Sequence, residues 1–359
     1  MINTVYKICL GICSVLALAI VIMLIIGYRI EVGPLVMTFV VLLAIGIRAF
    51  PPLKGFTYTV CIFASITAAM FYPQYFVNIG SFQFTSLIIP LLQIIMFGMG
   101  TTISFNDFIG VVKMPKGVFI GMLLQFTIMP IVGFILANVF RFPNEIAAGV
   151  VLIGSSPCGL ASNVMNYIAG NNIALSVTLT AFSTIVAPIL TPLLMKFLAH
   201  QFITVSFVDM MITVFKIVIL PVIAGLIFNK LAHGRAKWLN RFMPILSMAG
   251  IVYIATIITA AGRDNYLTMG IAIFSAAVLH NAAGYFFGYW ASRLFRLDKI
   301  SSRTIAIEVG LQNGGMASGI ALTMGKLATM GLPPNVFGVW MNISGSVLAN
   351  WWRKRPVKE

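Results

Sequence analysis

Gly154-Ser-Ser-Pro-Cys-Gly-Leu-Ala-Ser162 and Gly310-Leu-Gln-Asn-Gly-Gly-Met-Ala-Ser318 decide the fold, and they lie 156 residues apart in a chain of 359. Each interrupts a long apolar stretch. Pro157 and Gly159 in the first, and Gly314 and Gly315 in the second, predict that a helix breaks there, because proline removes a donor and glycine loosens the backbone. Unpaired amides and carbonyls facing lipid cost several kcal/mol each, so such breaks are expected only inside protein or along a polar cavity. Freed carbonyls would then offer oxygens to a cation. The amide ends of the second half-helices would offer partial positive charge to an anion.

The surrounding chain supports a membrane setting. Of its residues 60% are apolar and 9% are charged, a surplus that one soluble core cannot hide. Runs at 8–28, 117–139, 173–198, 211–231 and 267–290 are each long enough, at about 1.5 Å per residue, to cross roughly 30 Å of hydrocarbon. The alternation that strands require is missing. The first run is longer than a signal core and lacks a small-residue cleavage pattern, so it reads as retained. Cys9, Cys13, Cys61 and Cys158 all fall within apolar spans, which argues against a disulfide framework.

Twelve apolar segments can be read, near 8–28, 34–48, 57–73, 86–104, 116–140, 146–168, 172–199, 210–231, 243–262, 267–294, 302–330 and 335–352. Strict alternation puts seventeen of the 23 Lys and Arg residues on one side, which the positive-inside rule makes cytoplasmic, with both termini there. The net charge of +15 then reflects loops beside anionic lipid; its scatter over short loops argues against nucleic-acid binding. An extra hairpin (1–50) precedes two blocks of five spans (57–200 and 210–352), followed by a basic tail (353–359). Copies of an odd-numbered block enter the membrane from opposite faces, which is the inverted repeat of many secondary transporters. The two similar stretches fall in the fourth span of each block.

Polar residues gather at the breaks: Ser155, Ser156, Ser162 and Asn163 at the first, Glu308, Gln312, Asn313 and Ser318 at the second. Glu308 is the sharpest signal, because the other seven acidic residues lie in loops or at span ends. A carboxylate within a span costs at least about 2.5–3.5 kcal/mol unless compensated, and a bound cation compensates well. Hydroxyls, amides and carbonyls with a single carboxylate suit a monovalent hard ion, sodium rather than calcium. No nucleotide-binding P-loop is present, so ion coupling is left as the energy source. No enzyme site is visible: His200 and His233 lie in loops, and His280, followed by Asn281, reads as a helix-to-helix hydrogen-bonding residue.

The segments Ser162-Asn-Val-Met-Asn-Tyr167, Ala174-Leu-Ser-Val-Thr-Leu-Thr180 and Glu308-Val-Gly-Leu-Gln-Asn313 resemble the bile acid:sodium symporter family. So do Gln125-Phe-Thr-Ile-Met-Pro130, Leu279-His-Asn281 and Asn342-Ile-Ser-Gly-Ser346, and the likeness covers about 57–352. The resemblance implies an all-α polytopic membrane protein with a ten-helix plan. A panel of the first two and the sixth and seventh family helices would move against a core whose fourth and ninth helices break and cross. It implies one sodium site of Ser162, Asn163, Ser176, Thr180 and Glu308, and a second of Gln125, Glu308 and Gln312 with main-chain oxygens near Val309 and Leu311. Ser176 and Thr180, four apart, share a helix face as a ligand set requires. Leu160, Asn313 and Asn342 are the substrate candidates by position. Two departures leave the cargo open, Cys158 in Pro157-Cys158-Gly159 where relatives often have Pro-Gly-Gly, and Met341 where some have His.

The expected function is sodium-coupled symport of a small organic carboxylate by alternating access, with membrane lipid and no nucleic acid or obligate protein among its partners, in the bacterial inner membrane. The rival is an arsenite or organic-acid efflux carrier of related architecture using proton coupling, for which Cys158 is the relevant residue. A channel or receptor on the same fold is a third class.

Overall fold

Beyond its first two turns, where Asn3, Thr4 and Lys7 lie, Ile2–Ile26 (α1) is apolar on nearly every face, a pattern that suits a helix surrounded by lipid. Many of its side chains are exposed, Ile25 at 79%, as suits lipid, while Cys9 and Cys13 are buried. The computed structural model describes residues 2–27, 32–50, 57–104, 110, 113–232 and 237–357. Glu31, Asp107, His233 and Glu359 lie outside the described residues, as do Arg29, Lys54, Arg235 and Lys358 of the charge count.

The helices that follow are α2 (Gly33–Gly46), α3 (Thr57–Phe71), the single turn α4 (Gln74–Val77) and α5 (Ile88–Thr102). Next come α6 (Pro115–Val139), α7 (Asn144–Gly154), α8 (Ala161–Ala169), α9 (Ile173–Leu198), α10 (Phe207–Val214), α11 (Leu220–Ala232) and α12 (Lys237–Ala261). The last four are α13 (Arg263–Leu294), α14 (Lys299–Gly310), α15 (Gly314–Thr323) and α16 (Leu332–Arg353). A widened π turn at Phe215–Ile219 joins α10 to α11. The one sheet among the described residues is a short hairpin, Asn78–Ile79 against Phe82–Gln83, turning at Gly80 with φ +58°.

Six stretches among the described residues are long and apolar enough to cross a membrane: Thr4–Ile26, Phe84–Thr102, Pro115–Val139, Ile173–Leu198, Phe207–Leu231 and Arg263–Leu294. Shorter apolar helices occupy Gly33–Ala49, Thr59–Phe71, Asn144–Gly154 and Ile245–Ala261, and of these Asn144–Gly154 is the first half of an interrupted segment. A span built from two half-helices never shows the continuous length that a hydropathy window rewards.

Two units group the chain. One comprises Met1–Ser86 with Met248–Asp264; in it α1 packs along α2, and the Cys13 Sγ reaches the Phe39 carbonyl at 3.5 Å. The other, Leu87–Ser247 with Asn265–Glu359, holds both broken spans. Its core joins Val118, Ile120, Leu124 and Met129 of α6 to Leu175 and Leu179 of α9 and to Ile305 and Val309 of α14. The helices around the breaks are firmly capped. Asn172 accepts from the Leu175 N–H (3.0 Å) at the start of α9, and Asp298 from the Ser301 N–H (2.8 Å) at the start of α14. Gly170, in the left-handed region at φ +68°, ends α8.

A candidate ion and substrate site at two broken helices

The first break runs from Ser155 to Leu160, between α7 and α8. The second is shorter, Leu311 to Asn313, between α14 and α15. This corrects one expectation from the sequence: Gly314 and Gly315 do not form the second break but open α15, and the non-helical residues are the three before them. The reason is a cap. Asn313 accepts from the Met316 N–H at 3.0 Å and starts the helix one residue earlier than the glycines alone suggest.

The breaks cross in contact. The Gly159 N–H donates to the Leu311 carbonyl (2.8 Å) and the Asn313 N–H to the Pro157 carbonyl (2.9 Å), a two-bond antiparallel bridge centred on Cys158 and Gln312. Gly159 is what lets the strands meet, since a Cβ there would stand 2.7 Å from the Gln312 carbonyl oxygen. Other freed backbone groups are answered by side chains. Thr191 donates to the Ser155 carbonyl (2.7 Å), Gln125 to that of Ser156 (2.8 Å), Ser162 to that of Gly159 (2.8 Å) and Gln312 to that of Val309 (2.6 Å). The Gln312 N–H itself meets the Met341 Sδ at 3.1 Å.

Glu308, 1% exposed, sits one turn before the second break. Ser176 and Thr180 of α9 donate to its two oxygens at 2.5 and 2.8 Å, and the Asn166 amide of α8 donates at 3.1 Å. The Asn163 Oδ1 lies 2.7 and 3.2 Å from the same two hydroxyls, a competing acceptor for the one proton that each carries, and Ser162 lies 3.4 Å from Thr180. Thus Ser162, Asn163, Ser176, Thr180 and Glu308 form one oxygen-rich cluster drawn from three helices. Asn166 belongs to it and was missed in the sequence. The signal was present, because Asn166 is one turn on from Ser162 and Asn163 and shares their face. The Asn171 amide in turn fixes Asn166 through its Oδ1 (2.8 Å).

Gln125 and Gln312 form a neighbouring group. The Gln125 amide donates to the Gln312 Oε1 at 2.6 Å, while the Gln125 Oε1, buried, has no partner among the described residues. The bonds of Glu308 run to α8 and α9 rather than to these two glutamines. The carbonyls of Val309 and Leu311 each accept one hydrogen bond and keep a second lone pair.

The substrate candidates divide. Asn313 is buried at the bridge, its Oδ1 engaged in the cap and its Nδ2 without a partner among the described residues. Asn342 donates to the Gly338 carbonyl of its own helix at 2.7 Å, and Leu160 is half-buried at the start of α8. Cys158 is buried with its N–H toward the Ser183 hydroxyl at 3.4 Å, and the other three cysteines belong to the first unit. His280 bonds a carbonyl of another helix, as its sequence setting suggests.

Buried breaks lined by oxygen donors, in a chain whose helices are apolar on their outer faces, define an integral membrane protein of the transporter class, not an enzyme. The chain belongs to the sodium bile acid symporter family, whose sequence model matches residues 89–269. It is 39% identical over 317 residues to the uncharacterized sodium-dependent transporter YocS of Bacillus subtilis (strain 168), covering 87% of this chain and 96% of that one. It is 37% identical to the chloroplastic probable sodium/metabolite cotransporter BASS1 of Arabidopsis thaliana, over 75% of this chain and 67% of the relative. To the ileal sodium/bile acid cotransporter of Homo sapiens it is 31% identical, over 68% and 71%.

Proposed function

We propose that the protein couples a sodium gradient to the symport of a small organic anion by alternating access. The observation that carries this reading is Glu308, a buried carboxylate met by two hydroxyls and an amide and by no Lys or Arg among the described residues. Dipoles alone compensate a charge in such a setting poorly, whereas a cation among the same oxygens compensates it well. The residues fit sodium: no group of three His, Cys, Asp or Glu side chains gathers among the described residues, so the set is neutral apart from one carboxylate. The unpartnered Gln125 Oε1 points the same way, as a buried acceptor suited to a cation.

Ser162, Asn163, Ser176, Thr180 and Glu308 would hold one sodium ion, and Gln125, Gln312, Glu308 and the Val309 and Leu311 carbonyls a second. The anion would meet Asn313, Leu160 and Asn342 at the N-terminus of α15, where the free Asn313 amide supplies a donor. Relatives named for bile acids and for metabolites support an organic anion as cargo. We read the 57–200 and 210–352 blocks as inverted repeats within twelve spans, with both termini cytoplasmic in a bacterial inner membrane.

Thermal stability in sodium against potassium at equal ionic strength tests the reading. A ligand that binds only the folded state stabilises it, by about 2.7 kcal/mol at a hundredfold excess over its dissociation constant. Wild type is expected to gain stability in sodium and Glu308→Gln to gain none. If neither protein responds, sodium coupling fails, and proton coupling or arsenite binding at Cys158 takes its place.

A further inference from the structure

One helix touches both crossing spans. On α13, His280 is fully buried and its Nε2 lies 3.0 Å from the Met129 carbonyl of α6; a carbonyl only accepts, so Nε2 carries the proton. Met129 precedes Pro130, the residue that interrupts the hydrogen bonding of α6, and follows Gln125 by one turn. A Cβ on Gly154, the last residue of α7, would stand 3.0 Å from the same Nε2 and 2.5 Å from the Met129 oxygen. His280 is therefore wedged where α7 ends against α6. The next residue, Asn281, is 1% exposed and donates to the carbonyl of Gly310 at 2.8 Å, the last residue of α14. Its Oδ1 accepts from Ser344 of α16 at 2.6 Å, and the Ser344 hydroxyl lies 3.1 Å from that of Tyr285. Gly310 sits midway between Glu308 and Gln312.

We infer that His280 and Asn281 are positioning residues for the ion site, one holding the end of the first half-helix and the Gln125 helix, the other the end of the second. Neither belongs to the oxygen clusters. Because the two residues are adjacent on one continuous helix, the register of one break is fixed relative to the other. The inference rests on the sodium reading above and deepens it.

The test is a sodium titration of thermal stability at constant ionic strength with the purified full chain, for wild type, His280→Leu, His280→Gln and Asn281→Leu. Supporting groups of this kind change ion affinity by about 10-fold or more when removed. The titration midpoints of His280→Leu and Asn281→Leu are expected to rise by about that factor, while His280→Gln, whose Nε2 can also donate to Met129, stays near wild type. Ser344→Ala removes the hydroxyl shared by the Asn281 Oδ1 and Tyr285 at a half-buried position, leaves the Asn281 bond to Gly310 in place and should raise the midpoint less; it supplies the readout if a Leu variant does not fold. A merely structural role lowers stability equally in both salts and leaves every midpoint unchanged, and that result overturns the inference. No response to sodium in wild type would instead strike at the sodium reading itself, together with what rests on it.

Discussion

Two carboxylates of the second unit, Glu145 and Glu308, are handled in opposite ways. Glu145, just ahead of the 146–168 span, is partly exposed, pairs with the Lys326 ammonium and accepts from Thr329 at 2.5 Å. Glu308 is buried and receives hydroxyls and an amide, with no Lys or Arg paired to it among the described residues. Where water already helps, the chain supplies a positive charge of its own; where burial makes a lone charge most costly, it supplies dipoles. A fold that needed Glu308 only for structure would more economically neutralise it with a lysine or replace it with an apolar side chain. The oxygen cluster is thus better explained by a positive charge that comes and goes than by a fixed one.

The largest expected effect breaks this contrast outright. Glu308→Ala removes the acceptor shared by Ser176, Thr180 and Asn166, and radiolabelled organic-anion uptake driven by a sodium gradient should fall to the background of protein-free vesicles. The protein should still purify as a folded species, since the lost charge offsets part of the roughly 1–3 kcal/mol per donor left unsatisfied. Coupled uptake close to wild type in this variant would remove Glu308 from the site. A smaller effect separates the two oxygen clusters. Gln125→Leu takes away the unpartnered Oε1 and the bond to Gln312 but leaves all bonds of Glu308 in place. Half-saturating sodium should rise by about 10–100-fold with the maximal rate less affected. If the sodium dependence keeps both its midpoint and its steepness, Gln125 is no ion ligand and only the Glu308 cluster remains.

Much of this was legible because membranes punish idle polarity. Glu308 stands out in an apolar run, Pro157 and Gly159 mark a break, and the four-residue spacing of Ser176 and Thr180 puts both hydroxyls on one face; the structure brings them together. Asn166 was legible in principle by the same spacing but lacked a charge to draw attention. What the sequence hid was pairing across helices. That Gln125 would bond Gln312, that Thr191 would answer the Ser155 carbonyl, and that Gly159 and Leu311 would share a backbone bond depend on where α6 and α9 pass the breaks, which no local pattern encodes. The position of the second break was misjudged for a related reason. Glycines signal permission to bend, but the Asn313 cap decides where α15 begins. Six long stretches rather than twelve meet the test of length and hydropathy, in part because the helix breaks divide two apolar segments that composition alone treats as whole, whereas the stretch through the π turn, Phe207–Leu231, still counts among the six.

The smallest effect concerns the other member of the pair. Glu145 titrates below the ordinary carboxylate value of 4.5, chiefly because Lys326 donates to it and secondarily because Thr329 does, against a small opposing effect of burial. A depressed folded-state value means that the interaction stabilises the protein above the unfolded value and that the contribution disappears as pH falls through the lower, folded one. Wild type should therefore lose slightly more stability than Lys326→Met on acidification from neutrality through the mid-4 range and below. The side chains are about a third exposed, so solvent screening holds the difference to about 0.2–1 kcal/mol. Thermal melts of both proteins across that range, compared pairwise so that every other titrating group cancels, measure it. An equal acid response in the two would mean that Lys326 contributes nothing to Glu145, and the contrast with Glu308 would then rest on burial alone. A difference of the expected sign, shrinking in high salt, would keep Glu145 as the reference for how this chain treats a carboxylate it merely has to accommodate.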